Sequence, residues 1–267
     1  MELAACIEWL FKSEHEDFAG RIHAAHAAGL SAVEFHLWRD KPLDSIERAL
    51  DATGVHLTSF CVEPRSSLVD PAAHPHVLDA VRDAIPIARR FGGAAMILAS
   101  GFTRHDVPAA EQQEAAIAVL KAAATMAADA GTTLLLEPVN MVLNGAPMFV
   151  DGVQRGLDIT EEVNSPGLRL LCDVYHSSVT GENLSDALGD RMRWVGHVQV
   201  ADSNGRHEPG TGSLNWPHVM ALLREKGYDR EIGLEYLPTM PTLDSLALTR
   251  RSLGVSSRRT DIETRQR

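Results

Sequence analysis

Short apolar runs, each closed by a polar or acidic residue, alternate along this chain with longer segments whose apolar positions recur at helical spacing. Period-2 or continuous apolar runs of four to eight residues predict strands, and longer 3.6-period segments predict helices. On that basis strands are expected near residues 3–7, 32–35, 56–61, 95–98, 133–137, 169–173, 194–199 and 232–236. Helices are expected over 18–28, 43–52, 73–91, 109–130, 150–163, 184–188, 216–226 and 243–253, the sixth carrying the weakest pattern. Gly29, Gly54, Gly92, Gly131 and Gly227 stand where helix C-termini should fall. Strict alternation of strand and helix is the mark of parallel βα units. An open doubly wound sheet usually carries a glycine-rich turn after its first strand. Here Ile7 is followed by Glu8-Trp9-Leu10-Phe11, so a single closed (β/α)8 TIM barrel is the expected fold.

Composition supports one domain: 267 residues at 45% hydrophobic suffice for one large core. The barrel is expected over 1–254. Residues 255–267 are polar without apolar periodicity, and are expected to form a disordered tail. A formal net charge of -11 argues against a nucleic-acid partner, which needs a basic stripe. No apolar run approaches the roughly 20 residues that span a bilayer, and no secretory signal is visible, so a soluble cytoplasmic protein without a membrane partner is expected. Cys6, Cys61 and Cys172 lie singly in apolar segments, as buried reduced thiols do.

Glu137, Asp173, Gln199 and Glu235 each close one of four consecutive predicted strands, at intervals of 36, 26 and 36 residues. In a barrel the strand C-termini and the βα loops form the active face. Four oxygen donors would therefore converge there. Three carboxylates and one amide suit a hard cation, Mg²⁺ or Mn²⁺, better than zinc. Three acids at one mouth would otherwise repel each other. Residues two apart share a strand face, so Leu135, Leu171, His197 and Gly233 should point into the barrel one layer below. His197 is the polar exception, either packed in the core or orienting a ligand. His176, three residues after Asp173, could reach a substrate oxygen, and Arg206, in a glycine-punctuated loop, could meet an anion. Asn140 reads as a turn residue.

These stretches resemble a known family. Glu137-Pro138-Val139-Asn140, Asp173-Val174-Tyr175-His176, His197-Val198-Gln199-Val200-Ala201-Asp202, Glu208-Pro209-Gly210-Thr211-Gly212 and Gly233-Leu234-Glu235-Tyr236 are similar to those of hydroxypyruvate isomerase, within the xylose isomerase-like TIM-barrel superfamily. Gly29-Leu30-Ser31-Ala32-Val33-Glu34-Phe35 matches too. The resemblance implies that Glu137, Asp173, Gln199 and Glu235 hold a divalent metal, that Glu137 and Glu235 are the catalytic proton donor and acceptor, and that His176 and Arg206 contact substrate. It implies an isomerase that turns a small-molecule substrate, hydroxypyruvate, into tartronate semialdehyde through an enediolate. An isomerase of a longer 2-oxo sugar acid is the nearest alternative. A keto-sugar 3-epimerase usually carries His where Gln199 stands, and a metal-dependent polyol dehydratase would share the enediolate. An apurinic endonuclease would need several His ligands and a basic track. A non-enzymatic binding barrel would have no use for the four-ligand set. The chain departs from the family's loop after the third strand, reading Cys61-Val62-Glu63-Pro64-Arg65-Ser66-Ser67, where Arg65 could meet a substrate carboxylate. Exposed barrel helices leave room for pairing into a homo-oligomer.

Overall fold

The computed structural model describes residues 1–256. Its strands in chain order are β1 (Leu3–Cys6), β2 (Ala32–Glu34), β3 (His56–Leu57), β4 (Ser59–Cys61), β5 (Ala95–Ala99) and β6 (Leu134–Glu137). A two-stranded hairpin, β7 (Val142–Leu143) and β8 (Ala146–Pro147), precedes β9 (Leu168–Asp173), β10 (Val195–Val200) and β11 (Ile232–Leu234). Within the main sheet the strand pairings are parallel, in the order β3-β2-β1-β11-β10-β9-β6-β5-β4.

The two ends of that sheet are halves of one strand, interrupted at Thr58. The Thr58 N–H donates to the Val33 carbonyl at 2.9 Å on one side, and its carbonyl accepts from the Ala95 N–H at 2.8 Å on the other. The sheet thus closes on itself into the expected TIM barrel, with the third strand split.

Alternation of side chains sorts the core into two layers. Leu134 and Leu136 face outward into the main cluster with the helices, whereas Leu135 packs inside the barrel with Leu171, Cys61 and Ile97. The same alternation turns Glu137 and Asp173 inward, one layer above Leu135 and Leu171. Around the rest of the interior the layer is polar: Glu34, Ser59, His197 and Gln199 are all buried there.

The outer helices are α1 (Phe18–Ala27), α2 (Leu43–Thr53), α3 (His74–Arg90), α4 (Ala109–Asp129), α5 (Val153–Val163), α6 (Val174–Val179), α7 (Leu184–Leu188), α8 (Trp216–Glu225) and α9 (Thr242–Leu253). The amphipathic segments α2 and α3 bury Ile46, Ala49 and Leu50, and Val77, Ala80, Val81, Ala84 and Ala88. Helix α2 stops at Gly54, whose φ of 69° is a left-handed cap that a Cβ would strain. The weak sixth helix is two: α6 starts on Asp173 itself, and α7 follows at the predicted position. The predicted tail from 257 onward lies outside the described residues.

Candidate active site

The sixth βα junction brings the first of the predicted site residues together. Asp173 ends β9 and caps α6, its Oδ1 accepting from the Tyr175 N–H at 2.8 Å. Because the chain turns into a helix at once, His176 lies one turn on, beside the strand ends. Its Nε2 is 3.5 Å from Asp173 Oδ2 and 3.8 Å from Glu137 Oε1. The other ring nitrogen, Nδ1, pairs with Asn140 Oδ1, so Asn140 orients the imidazole besides turning the loop.

Arg206 enters from the loop after β10 in a left-handed backbone conformation, φ 59°. Its Nη2 donates to Glu235 Oε2 at 2.6 Å and to Asp173 Oδ2 at 3.1 Å. The guanidinium lies over the rings of Trp9 and Tyr175, 5.1 and 5.2 Å from their centroids. Arg206 thus ties together two of the four predicted ligands while lining the cavity above them. Gln199 is in register with Asp173 on one side and Gly233 on the other, two residues short of Glu235.

Electrostatics differ between the acids. Burial, then the charges of Glu235 and Asp173, push the Glu137 carboxyl well above the usual carboxylate range. Burial also raises Asp173, against the pull of His176 and Arg206. For Glu235 burial acts upward too, but the hydrogen bond from His36 and the Arg206 charge outweigh it and hold the carboxyl below its ordinary value. Burial lowers the His176 imidazole.

Sequence reasoning did not single out His36 or Glu34 as site residues. His36 Nε2 lies 2.8 Å from Glu235 Oε1 and 3.5 Å from the Cys6 thiol. Glu34, 1% exposed, sits inside the barrel beneath the mouth. Its Oε2 accepts from His197 Nε2 at 2.7 Å and Ser59 Oγ at 3.3 Å, and its Oε1 accepts from Gln199 Nε2 at 2.9 Å. His197 therefore reaches the site through Glu34, which reconciles its two readings. An acid inside an otherwise apolar strand was the available signal. The three cysteines are free and buried.

A cavity of about 630 Å³ opens above these groups, lined by Glu137, His176, Arg206 and Glu235 and by apolar residues including Val62, Leu68, Val77, Phe102 and Met148. Arg65 lines it as well, and among the described residues it makes no ion pair. Ligand atoms of Glu137, Asp173 and His176 lie within 4.8 Å of one another, as do those of Cys6, His36 and Glu235. The donor set suits a divalent cation, and one further observation fits. Gln199 Oε1 is buried without a hydrogen-bond partner. An orphaned amide oxygen is costly unless something else satisfies it.

A parallel barrel with an acidic, partly apolar cavity at the C-terminal ends of its strands defines a barrel enzyme that acts on a small molecule. Residues 22–253 match the family described as xylose isomerase-like TIM barrel, and the chain belongs to that family. It is 34% identical over 236 residues to a putative hydroxypyruvate isomerase of Streptomyces coelicolor, covering 80% of this chain and 84% of the relative. A 2-oxo-tetronate isomerase of Cupriavidus necator is 28% identical over 249 residues, covering 91% and 95%. The crystal structure of an AP endonuclease, family 2, from Brucella melitensis superposes with a TM-score of 0.84 at 27% identity, covering 92% of this chain and 97% of that one. The protein is accordingly an isomerase of this superfamily. No helix among the described residues is long and apolar enough to cross a membrane.

Proposed function

We infer that the protein interconverts a short 2-oxo hydroxy acid and its aldehyde isomer, hydroxypyruvate and tartronate semialdehyde, through an enediolate. The observation that carries this reading is the pairing of Glu137 and Glu235 across one cavity. They stand at the ends of strands three places apart around the barrel, and their carboxyls are displaced in opposite directions. Two acids with divergent environments are the usual equipment for taking and returning a proton.

In the forward direction a proton leaves C3 of hydroxypyruvate and the C3–C2 double bond of the enediolate forms; the C3 hydroxyl proton then passes to the C2 oxygen as a proton is returned to C2, which leaves the aldehyde at C3. Glu235, kept charged by His36 and Arg206, suits the acceptor role, and Glu137 the return. His176, held by Asn140, faces the substrate oxygens. Arg65, at the cavity wall and without an ion pair among the described residues, suits the substrate carboxylate. Glu137, Asp173, Gln199 and Glu235 would hold Mg²⁺ or Mn²⁺, which supplies charge stabilisation for the enediolate.

Proton NMR of hydroxypyruvate in deuterated buffer with Mg²⁺ tests the reading. Solvent deuterium should enter the substrate with the wild type and stop in Glu137→Gln and in Glu235→Gln. Full exchange in both variants would defeat the assignment. A longer 2-oxo sugar acid is the second reading, favoured by a cavity of about 630 Å³ that exceeds the need of a three-carbon acid. Comparing kcat/KM for three- and four-carbon 2-oxo acids separates the two.

A further inference from the structure

We propose that Glu34 is a positioning residue that fixes which end of the Gln199 amide faces the cation site. This rests on the reading of Gln199 as a ligand. A side-chain amide has a donating and an accepting end of nearly equal shape, so a strand-end glutamine offers oxygen to a cation only if something holds its NH₂ the other way. Glu34 does this with an oxygen that can only accept: its Oε1 takes the Gln199 Nε2 proton at 2.9 Å. The opposite end, Oε1, is the buried atom without a hydrogen-bond partner.

Three features show that the space is built for this contact. Glu34 cannot swing away, because its other oxygen is held by His197 at 2.7 Å and Ser59 at 3.3 Å. Residue 233 is glycine, and a Cβ there would lie 2.6 Å from Glu34 Oε1 and 2.8 Å from Gln199 Cγ. Both carboxylate and amide are buried, 1% and 3% exposed, so solvent does not compete for the Gln199 donors.

The arrangement makes an unusual demand on conservative substitutions. In Glu34→Gln the donors His197 and Ser59 keep the new amide's oxygen, and its NH₂ is left facing Gln199. To accept it, Gln199 must turn over and present its own NH₂ to the cation. The reciprocal double variant, Glu34→Gln with Gln199→Glu, reverses the hydrogen bond and again leaves an oxygen facing the site.

The test is titration of the purified, metal-stripped protein with Mn²⁺ alone, followed by the electron paramagnetic resonance signal of free Mn²⁺. Glu34→Gln should bind roughly ten- to hundredfold more weakly than wild type, the range seen when a partner of a metal ligand is lost. The double variant should recover at least the wild-type affinity. Gly233→Ala, which displaces the carboxylate sterically, should weaken binding as Glu34→Gln does, and it serves if that variant does not fold. Wild-type binding with unchanged affinity in Glu34→Gln, or in Gly233→Ala where only that variant folds, overturns this inference alone. A folded double variant that remains as weak as Glu34→Gln also overturns it. Absence of Mn²⁺ uptake by the wild type overturns the ligand reading and this inference with it.

Discussion

Arg206 balances buried charge at the site besides lining the cavity. Its two acceptors, Asp173 and Glu235, have side chains 1% and 9% exposed, so the guanidinium offsets charge that water cannot reach. Replacing it by Met keeps much of the apolar stem between Trp9 and Tyr175 and removes the charge together with the hydrogen bonds to Asp173 and Glu235. Breaking a buried pair by deleting one partner costs about 3 kcal/mol. Arg206→Met should lose that much in urea denaturation with chelator present, and Mn²⁺ should restore part of it; an unchanged midpoint would remove Arg206 from the charge balance. The strand-end residues Glu137, Asp173, Gln199 and Glu235 were legible because each closes an apolar run at βα spacing. Glu34 and His36 were not, because their partners, Gln199 and Glu235, come from the far end of the chain. Hydrogen bonds spanning 165 and 199 residues leave no local trace of the partner, and the acid within the apolar strand at Glu34 was the one local sign.

At the level of elements, the seventh βα loop owes its glycine-rich spelling to a buried acid. Asp202, 0% exposed, accepts from the N–H groups of Ser203, Gly210 and Leu214 and from Trp216 Nε1. A Cβ at Gly212 would stand 2.2 Å from its Oδ1. Burial alone would raise the Asp202 carboxyl, but the bonds from Trp216 and the loop amides hold it below its usual value. A depressed carboxyl contributes stability that is complete above the unfolded pKa, about 3.9, and is lost as pH falls through the lower folded value. Asp202→Asn sets an NH₂ among donors and should cost about 2–3 kcal/mol at pH 7. The gap to wild type should narrow in urea melts near pH 3, and a constant gap would show that the charge is irrelevant. Packing of β9 on α4 gives a second prediction. A Cβ at Gly167 would lie 2.0 Å from the Ala124 carbonyl, so Gly167→Ala should lower stability by about 3 kcal/mol, read as a shift in denaturation midpoint. Periodicity located strands and helices well. It could not show the break at Thr58, because a split strand has the same apolar pattern as a whole one and only barrel closure distinguishes them. Helix α6 was missed because its six residues are too few for a 3.6-residue period to emerge.

For the whole molecule, the barrel concentrates buried acids at and just beneath one mouth, and this couples global stability to pH and to cation. Glu137 and Asp173 have carboxyls raised by burial, so the folded chain holds protons there that the unfolded chain has already released. By linkage, stability without a cation falls as pH rises from the unfolded pKa, about 4, through the raised folded values. Glu235, held low, acts with the opposite sign but is a single group. A cation seated among these oxygens, as the proposed function requires, must displace the protons, so its binding tightens with pH. Its contribution to folding is RT ln(1 + [L]/Kd), about 2.7 kcal/mol at a hundred times Kd. For a chain of this size that corresponds to a Tm rise of roughly 5–8 °C. Differential scanning fluorimetry with excess Mn²⁺ should show that rise at pH 7.5, a smaller one at pH 5, and none with EDTA. A rise of equal size at both pH values would mean that the cation binds away from the buried acids.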